Sequence, residues 1–377
     1  MKYSILVMLI AVSVPLTASA DRSVHFTGSF ESGEVRHKDS RTDGFFVHSL
    51  PVSQSGSESV SGGHGGFGPG SGVDTRVVQS EEVGGVTVRA RAGKYFVRSS
   101  LDKRKNYTEL NSGKDKPRSK LYVRGADHGI DFDEEGYLGF SIYLPRNLEH
   151  ETAWTGSKGS TKFLQVQSDG ASHIILVLAV YVPKGKTESH WLLKHELNDG
   201  KSARSIEYDL GPVDNDLGKW TDFVMRYRFN PFSERTNAAN FGGKDRVYEG
   251  NKGILQLWKA TGPVNSDGNR KMILTSVDLE NEPVGRVPHA SSQINWHFRI
   301  YKGNWKDKPT DIEGPIWIGF DEIRDGRVRK HGTGYSDVHP AGLRCTDRCP
   351  ASAGGGKAAS PEPGLPRPPG NIAIVTH

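Results

Sequence analysis

The chain has 377 residues, with 49 Lys and Arg against 44 Asp and Glu and a formal net charge of +5. Basic and acidic residues are interleaved along the chain, which argues against nucleic acid as a partner and leaves a local groove as the only place where an acidic ligand would be favoured. Because the chain has only 2 cysteines, a hydrophobic core must hold the fold together.

Residues 1–20 have the pattern of a secretory signal peptide. Lys2 precedes an apolar stretch from Ile5 to Pro15, and small residues lead to a cleavage site after Ala20. The apolar stretch is too short to cross a bilayer, and no later segment has about 18 consecutive apolar residues. We therefore expect a periplasmic or secreted protein without a membrane span, and a monomer.

Two segments lack the apolar residues needed to order themselves. Residues 53–72 are dominated by Ser and Gly and are predicted to form a long loop, and the Pro/Gly-rich tail at 344–377 is predicted to be disordered. In an oxidising compartment Cys345 and Cys349 of that tail would pair locally, whereas a metal site built on two thiols is disfavoured. A single domain over residues 21–343 is left, with an opening strand within 24–50.

The rest of the chain repeats one unit, a short run rich in β-branched and aromatic residues between turn-forming residues. Such runs begin at Gly85, Tyr137, His173, Trp220, Gly253 and Pro315. No long stretch keeps the periodicity of an amphipathic helix. The pattern predicts an all-β fold, an antiparallel β-jelly roll of the concanavalin A-like sandwich type.

The run at 220–229 alternates between two kinds of side chain. Phe223, Met225 and Tyr227 share one side, which suits a core. Arg226 and Arg228 share the other side. That side is either the ligand-facing surface of a curved sandwich or an ordinary solvated face.

Short motifs stand in a fixed order over most of residues 75–330. In chain order they read Lys116-Pro-Arg-Ser-Lys-Leu, Gly136-Tyr-Leu-Gly-Phe-Ser-Ile-Tyr-Leu-Pro, Lys162-Phe-Leu-Gln-Val-Gln, Gly218-Lys-Trp-Thr-Asp-Phe-Val, Gly253-Ile-Leu-Gln-Leu-Trp, Phe298-Arg-Ile-Tyr-Lys-Gly-Asn-Trp and Phe320-Asp-Glu-Ile-Arg. Each is weak alone. Together they resemble the jelly-roll polysaccharide lyases related to heparin lyase I and glucuronan lyase.

The resemblance implies β-elimination on a uronic-acid-containing polysaccharide. A proton leaves C5, the bond between C4 and its oxygen breaks, and an unsaturated sugar forms. Three groups are then needed: one that neutralises the C6 carboxylate, a base for the C5 proton and an acid for the leaving oxygen. No cofactor is required, and a structural calcium ion is compatible with Asp321 and Glu322.

The carboxylate-holding group is assigned through the motifs. Arg118 and Gln165 match the Arg and Gln of the family, and an arginine presents a fixed fork of donors to a carboxylate. An ion-paired surface arginine is the alternative for Arg118. Gln167 lies two residues after Gln165 and shares its face, so either glutamine could contact the substrate.

Tyr301 is the candidate acid, because a tyrosine near this point is the acid, and often the base, in such lyases. A phenol has a pKa of about 10, so it needs neighbouring cations to act as a base, and Arg299 and Lys302 are candidates. Where the family often has Lys-x-Gly-x-Tyr, this chain would use His297 or Arg299 in place of the lysine. An ordinary core tyrosine is the alternative for Tyr301.

The base is less clear, because Gln167 stands where many relatives have a histidine. His173 is the first substitute, followed by His128 and His195, although a lone histidine is more often structural.

Aromatic side chains suit the apolar face of a sugar ring, which makes Trp305, Trp296 and Trp258 candidates for stacking, with core packing favoured for Trp258.

Two other functions stay open. A carbohydrate-binding, lectin-like domain would use the same sandwich and groove without an activated tyrosine. A glycoside hydrolase on a related sandwich would need two carboxylates about 5–9.5 Å apart. The Glu-x-Asp-x-x-Glu pattern typical of such retaining hydrolases is absent from the sequence, which disfavours hydrolysis.

Overall fold

Strands make up most of the chain that the structure, a computed structural model, describes. The described residues are 26–28, 45–49, 73–102, 118–123, 130–131, 134–146, 160–168, 174–198, 203–229, 253–261, 271–285, 293–302, 315–340, 344–345 and 372–376. The predicted signal peptide, the Ser/Gly-rich segment at 53–72 and Cys349 lie outside them. So does the proposed pairing of Cys345 with Cys349.

The strands are β1 Phe26–Gly28, β2 Phe45–Ser49, β3 Val73–Val78, β4 Ser80–Val83, β5 Val86–Arg89, β6 Phe96–Asp102, β7 Arg118–Val123, β8 Ile130–Asp131, β9 Gly136–Tyr143, β10 Thr161–Ser168, β11 Ile174–Tyr181, β12 His190–Asn198, β13 Ala203–Pro212, β14 Trp220–Arg228, β15 Gly253–Thr261, β16 Lys271–Glu282, β17 Gln293–Lys302, β18 Pro315–Arg327, β19 Arg344–Cys345 and β20 Ile372–Thr376. The helices in the described residues are α1 Val328–His331 and α2 Tyr335–Val338. Neither is long and apolar enough to span a membrane.

Within the described residues the strands form two nine-stranded sheets and one hairpin. Sheet I has the order β19-β16-β15-β14-β9-β18-β6-β3, with β1 paired to β18. Sheet II has the order β2-β7-β17-β10-β11-β12-β13-β20, with β8 paired to β17. The hairpin is β4-β5, and the pairing is antiparallel except between β16 and β19.

The two sheets pack face to face through a core of aromatic and branched side chains. At its centre Phe140 and Phe223 of sheet I stack, with ring centroids 5.2 Å apart. Trp191 and Phe298 of sheet II meet them edge-on, with centroids 5.2 and 5.5 Å apart. Such aromatic contacts contribute beyond the area that they bury. The structure confirms the predicted all-β, antiparallel jelly-roll sandwich.

Strand β14 confirms the predicted division of its side chains. Phe223, Met225 and Tyr227 are buried in the core between the sheets, as alternation in a strand requires. Val224 is also buried, but in a separate apolar cluster on the other side of sheet I.

The outer side of sheet I is itself covered. Tyr335 and Val338 of α2 pack there on Trp258, and the β4-β5 hairpin packs on Trp317. A Cβ at Gly139 would overlap the carbonyl oxygen of Val338, so the absence of a side chain at Gly139 lets α2 approach the sheet closely. The hydrophobic clusters of the described residues therefore lie between the sheets and outside sheet I.

The ends of the chain add strands to both sheets. Strands β1 and β2 confirm an opening strand within 24–50. In the tail, β20 pairs with β13, with Ile374 opposite Ile206, and β19 pairs with the start of β16. The composition of the tail, with its Pro and Gly, did not indicate these two strands.

We expect Phe223→Ala to lower the free energy of unfolding by about 3–5 kcal/mol, because it removes a ring that contacts both sheets at the centre of the core. Chemical denaturation followed by circular dichroism measures the change. Val86→Ala is the control, since Val86 is 61% exposed. A loss in the Phe223 variant no larger than in the control would contradict this account of the core.

Candidate functional site

One side of sheet II carries a polar face, which we define by the side chains that alternate with the core residues of β10, β12, β13 and β17. In β17, Trp296, Phe298 and Ile300 are buried in the core. The intervening side chains therefore point to the polar face. From β17 to β13 the members used below are His297, Arg299, Tyr301, Lys162, Gln165, Gln167, Lys194, Glu196, Glu207 and Asp209.

A β-bulge in β10 determines which of its side chains reach the polar face. The register shifts between Lys162 and Leu164 in its pairing with both neighbouring strands. Phe163 and Leu164 are both buried in the core as a result. Lys162 and Gln165, which a regular strand would place on opposite sides, then share the polar face.

Gln165 lies at the centre of this arrangement. Its backbone pairs with His297 on one side and Val177 on the other. The side chain is 0% exposed, and among the described residues neither its amide nitrogen nor its amide oxygen has a hydrogen-bond partner. Leaving a buried amide unpaired costs about 1–3 kcal/mol, so the fold retains a polar group here at the expense of stability.

Tyr301 lies beside two cations. The ammonium nitrogen of Lys162 and the guanidinium carbon of Arg299 are each 5.0 Å from the centroid of its ring. Lys162 and Tyr301 are also directly paired in register between β10 and β17. The two cations favour negative charge at this end of the polar face.

His297 and Arg299 reach the same place from β17 and are 6% and 2% exposed. Sequence analysis named both as substitutes for a lysine before the tyrosine. The structure places His297 opposite Gln165 and Arg299 at the ring of Tyr301. Both predicted residues therefore lie together with Tyr301 and Gln165.

The opposite end of the polar face is acidic and internally paired. Lys194 Nζ lies 3.3 Å from Glu196 and 3.9 Å from Glu207. His190 Nδ1 lies 2.7 Å from Asp209. The face therefore runs from cationic at β17 and β10 to acidic at β12 and β13.

Burial, together with the positive charges of Arg299 and Lys194, lowers the pKa of Lys162 to about 8, against an opposing effect of Glu196. Lys162 was not predicted from the sequence, because regular alternation places it on the side opposite Gln165. The signal was its presence in the same short motif, but only the bulge brings the two side chains to one face.

The remaining predicted residues have varied positions. Gln167 is partly buried on the polar face, opposite Asn295. The backbone of Arg118 pairs with Tyr301 and that of Lys302 with Thr161, while the side chains of Arg118 and Lys302 lie outside the described residues. His128, His173 and Trp305 lie outside them entirely.

Arg226 and Arg228 lie on sheet I, not on the polar face of sheet II. Arg226 Nε donates to Glu135 Oε1 at 2.8 Å, and its Nη1 donates to Gln256 Oε1 at 3.1 Å. Arg228 Nη1 is 3.7 Å from Glu135. The structure therefore does not bring these arginines together with Tyr301; they form a paired network on the outer side of the other sheet.

The candidate tryptophans Trp258 and Trp296 are core residues. Trp258 packs on Tyr335 outside sheet I, which confirms the core role favoured for it. Trp296 packs edge-on against Tyr227 between the sheets, so it does not reach the polar face.

Asp321 anchors the loop that follows β5 through hydrogen bonds to its backbone. Its carboxylate accepts hydrogen bonds from the backbone N–H groups of Arg91, Ala92 and Glu322, at 2.8 to 3.2 Å. Burial raises the pKa of Asp321 to about 8. Among the described residues no group of three or more metal-ligating side chains occurs, so calcium stays an untested expectation.

His195, one of the substitutes considered for the base, faces the core rather than the polar face. Its ring stacks on Tyr208, with centroids 5.9 Å apart, and its Nδ1 accepts a hydrogen bond from the Gly285 N–H at 3.5 Å. Burial lowers its pKa from 6.5 to about 4, with a further contribution from Arg204. His195 is therefore a neutral structural residue above that pH.

This depressed pKa makes stability depend on pH. Below about pH 6.5 the unfolded chain binds a proton at His195 that the folded chain does not, so the free energy of unfolding falls as the pH drops to about 4. The loss from this group is about 3 kcal/mol. We expect His195→Phe to remove that part of the acid sensitivity. Denaturant titrations at pH 7 and pH 4.5 measure the free energy of unfolding of both proteins. If it falls by the same amount between these pH values in wild type and in the variant, the assignment is contradicted.

Comparisons with known proteins give a likeness of fold only. No family model matches the chain, and no curated protein matches it in sequence. The endo-β-1,4-glucuronan lyase of the fungus Trichoderma reesei is 15% identical with a TM-score of 0.44, over 70% of this chain and 90% of that one. The exolytic alginate lyase AlyA5 of Zobellia galactanivorans is 14% identical with a TM-score of 0.36, over 64% and 87%.

The same level of likeness extends to a protein described differently. The binding domain of Paraclostridial Mosquitocidal Protein 1 is 12% identical with a TM-score of 0.34, over 74% of this chain and 48% of that one. Similarity of this extent carries no argument about activity. The residues of the polar face are the better guide to function.

Proposed function

We propose that this protein is a polysaccharide lyase that cleaves a uronic-acid-containing polysaccharide by β-elimination. The observation that carries the proposal is the placement of Tyr301, flanked by two cations, on the same face as the buried and unpaired amide of Gln165. A face that combines cations, an amide donor and a phenol has the groups that this reaction requires. The motif order along the sequence adds independent support.

The first task is to neutralise the C6 carboxylate of the sugar. The amide N–H of Gln165 donates to that carboxylate, and the nearby positive charge of Arg299 favours it. Arg118 would add a second guanidinium, since its backbone is paired with Tyr301. Negative charge that develops next to the carboxylate as the C5 proton leaves is then stabilised in a largely buried place.

The second task is proton transfer. The C5 proton passes to a base, its electron pair forms the C4–C5 double bond, and the bond from C4 to the glycosidic oxygen breaks. The hydroxyl of Tyr301 donates a proton to that departing oxygen. Tyr301 also takes the role of base here, since His195 lies in the core and His297 is opposite Gln165. Its phenolate form accepts the C5 proton, and the hydroxyl so formed gives that proton to the departing oxygen.

The wider setting of the proposal follows from the sequence. The signal-peptide pattern of residues 1–20 supports export to the periplasm or the medium, where acidic polysaccharides are found as substrates. The chemistry needs no cofactor. A carbohydrate-binding protein that uses the same face without turnover is the rival function.

Ultraviolet absorbance tests the proposal, because elimination leaves a conjugated double bond in the product. Mature protein is incubated with separate uronic-acid polymers, among them a glucuronan, an alginate and a heparin-like polymer. A rise in absorbance with any of them supports the lyase and identifies its substrate class. Binding without such a rise would replace the lyase with the carbohydrate-binding function.

We expect Tyr301→Phe to lower kcat by about 100- to 10,000-fold, since it removes the proton donor but keeps the ring between its neighbours. Tyr181→Phe is the matched control, because Tyr181 ends β11 and lies opposite His190, at the acidic end of sheet II. Rates come from the absorbance assay. Equal turnover in the two variants would return Tyr301 to a structural role.

Arg118→Ala is expected to weaken turnover on acidic polymers by about 10- to 1,000-fold if its guanidinium holds the carboxylate. The measurement is kcat/KM in the same assay, with Arg146→Ala as the control, since Arg146 is an exposed arginine that follows β9. Normal kinetics in the Arg118 variant would assign that residue to a surface ion pair.

Gln165→Leu separates stability from function. We expect it to raise the free energy of unfolding by about 1–2 kcal/mol, because it replaces an unpaired buried amide with an apolar side chain of similar size. Turnover should fall by about 100-fold. Denaturation and the absorbance assay give the two values. A variant that is less stable than wild type would show that the amide is satisfied within the protein.

A further inference from the structure

Lys162 is a cation without a carboxylate partner. Among the described residues no acidic side chain lies within ion-pair distance of its ammonium group, and its one close contact there is the ring of Tyr301, at 5.0 Å. Lys194, on the same face, has carboxylates of Glu196 and Glu207 at 3.3 and 3.9 Å. Within the described residues, Lys162 therefore lacks the carboxylate partners that Lys194 has on the same face.

The groups around Lys162 come from each neighbouring strand. Arg299 and Tyr301 face it from β17, and Ala179, which is uncharged, is its partner in β11. Lys194 and Glu196 of β12 act on it from further away. The nearest charges are thus mainly positive.

A partly buried cation next to another cation is unfavourable in the free protein. Burial removes water from the ammonium group, and Arg299 repels it, which is why the pKa of Lys162 is lowered to about 8. An anion placed beside it would relieve both effects. The unpaired amide of Gln165, on the same strand and the same face, supplies a hydrogen-bond donor for such an anion.

We propose that Lys162 holds a carboxylate of the acidic polysaccharide next to Tyr301, and that this contact forms only while the ammonium group is protonated. The inference rests on the proposed function for the identity of the polymer. It assigns a substrate-binding role to a residue outside the arginine, glutamine and tyrosine positions of the sequence motifs. Lys162 acts here in binding and positioning and does not transfer a proton.

The proposal gives substrate binding a defined pH dependence. The free protein has Lys162 protonated below about pH 8 and neutral above it. When only the protonated form binds, the apparent KM is divided by the protonated fraction, so it rises about tenfold between pH 7 and pH 9. The bound carboxylate stabilises the ammonium form, so kcat changes less than KM over this range.

Two substitutions of Lys162 test whether it binds the carboxylate or, as the alternative, transfers a proton. Arginine remains charged throughout, so Lys162→Arg should keep a low KM and lose the tenfold rise between pH 7 and pH 9. Lys162→Met, which is never charged, should have a KM more than tenfold above that of wild type at pH 7, and the same KM at both pH values. Lys219→Met, which removes an exposed lysine of the turn before β14, should behave as wild type and controls for net charge.

Two results would overturn the inference. One is a Lys162→Met variant with the KM and pH dependence of wild type. The other is a Lys162→Arg variant that keeps KM but loses kcat, because arginine does not exchange a proton in this range and the lysine would then be the proton-transfer group. Circular dichroism of each variant shows that it is folded.

The proposed function can fail separately. If wild type forms no unsaturated product from any polymer, the same variants are compared by calorimetric binding to uronic-acid oligosaccharides at pH 7 and pH 9. If wild type binds tenfold more weakly at pH 9 than at pH 7 and Lys162→Arg does not, Lys162 is supported as the carboxylate contact of a binding protein. Affinity that is absent, or insensitive to both pH and Lys162, would refute the inference together with the lyase.

Discussion

The packing of the two sheets through one aromatic core determines where the polar face lies. Phe298 of β17 meets Phe140 of sheet I across the interface. Once Phe298 points inward, alternation fixes its neighbours His297 and Arg299 on the other side of the strand. Core packing therefore sets the orientation of the candidate site residues. A shift of β17 by one residue would place these charged side chains in the core. Stability and function depend on the same register.

The bulge in β10 interrupts that alternation next to the residue that pairs with Tyr301. By placing Phe163 and Leu164 together in the core, it allows Lys162 and Gln165 to reach one face although they are three residues apart. A regular strand offers only every second residue to a ligand. An extra residue at this point increases the density of polar groups beside Tyr301.

Sequence patterns predicted where the strands lie and which side chains of a strand share a side. They did not predict which surface of the sandwich those side chains reach. Alternation correctly separated Phe223 and Met225 from Arg226, but it holds equally for either sheet, so it did not show that Arg226 faces away from Tyr301. The motif order correctly grouped Tyr301 with Gln165. Lys162 was missed because a bulge leaves no clear signal in a periodic pattern.

The buried amide of Gln165 and the ammonium of Lys162 suit the cationic end of the polar face to a ligand rather than to stability. At the acidic end of the polar face, Lys194 and His190 each lie within hydrogen-bonding or ion-pair distance of a carboxylate. At the cationic end, Gln165 is buried with no hydrogen-bond partner in the described part of the chain, and the ammonium of Lys162 lies near the cation Arg299. Folding alone would favour apolar residues or an added carboxylate at these positions. In the proposed function a polyanion would supply the missing negative charge and a hydrogen-bond acceptor from outside, so its binding would offset a cost that the free protein carries.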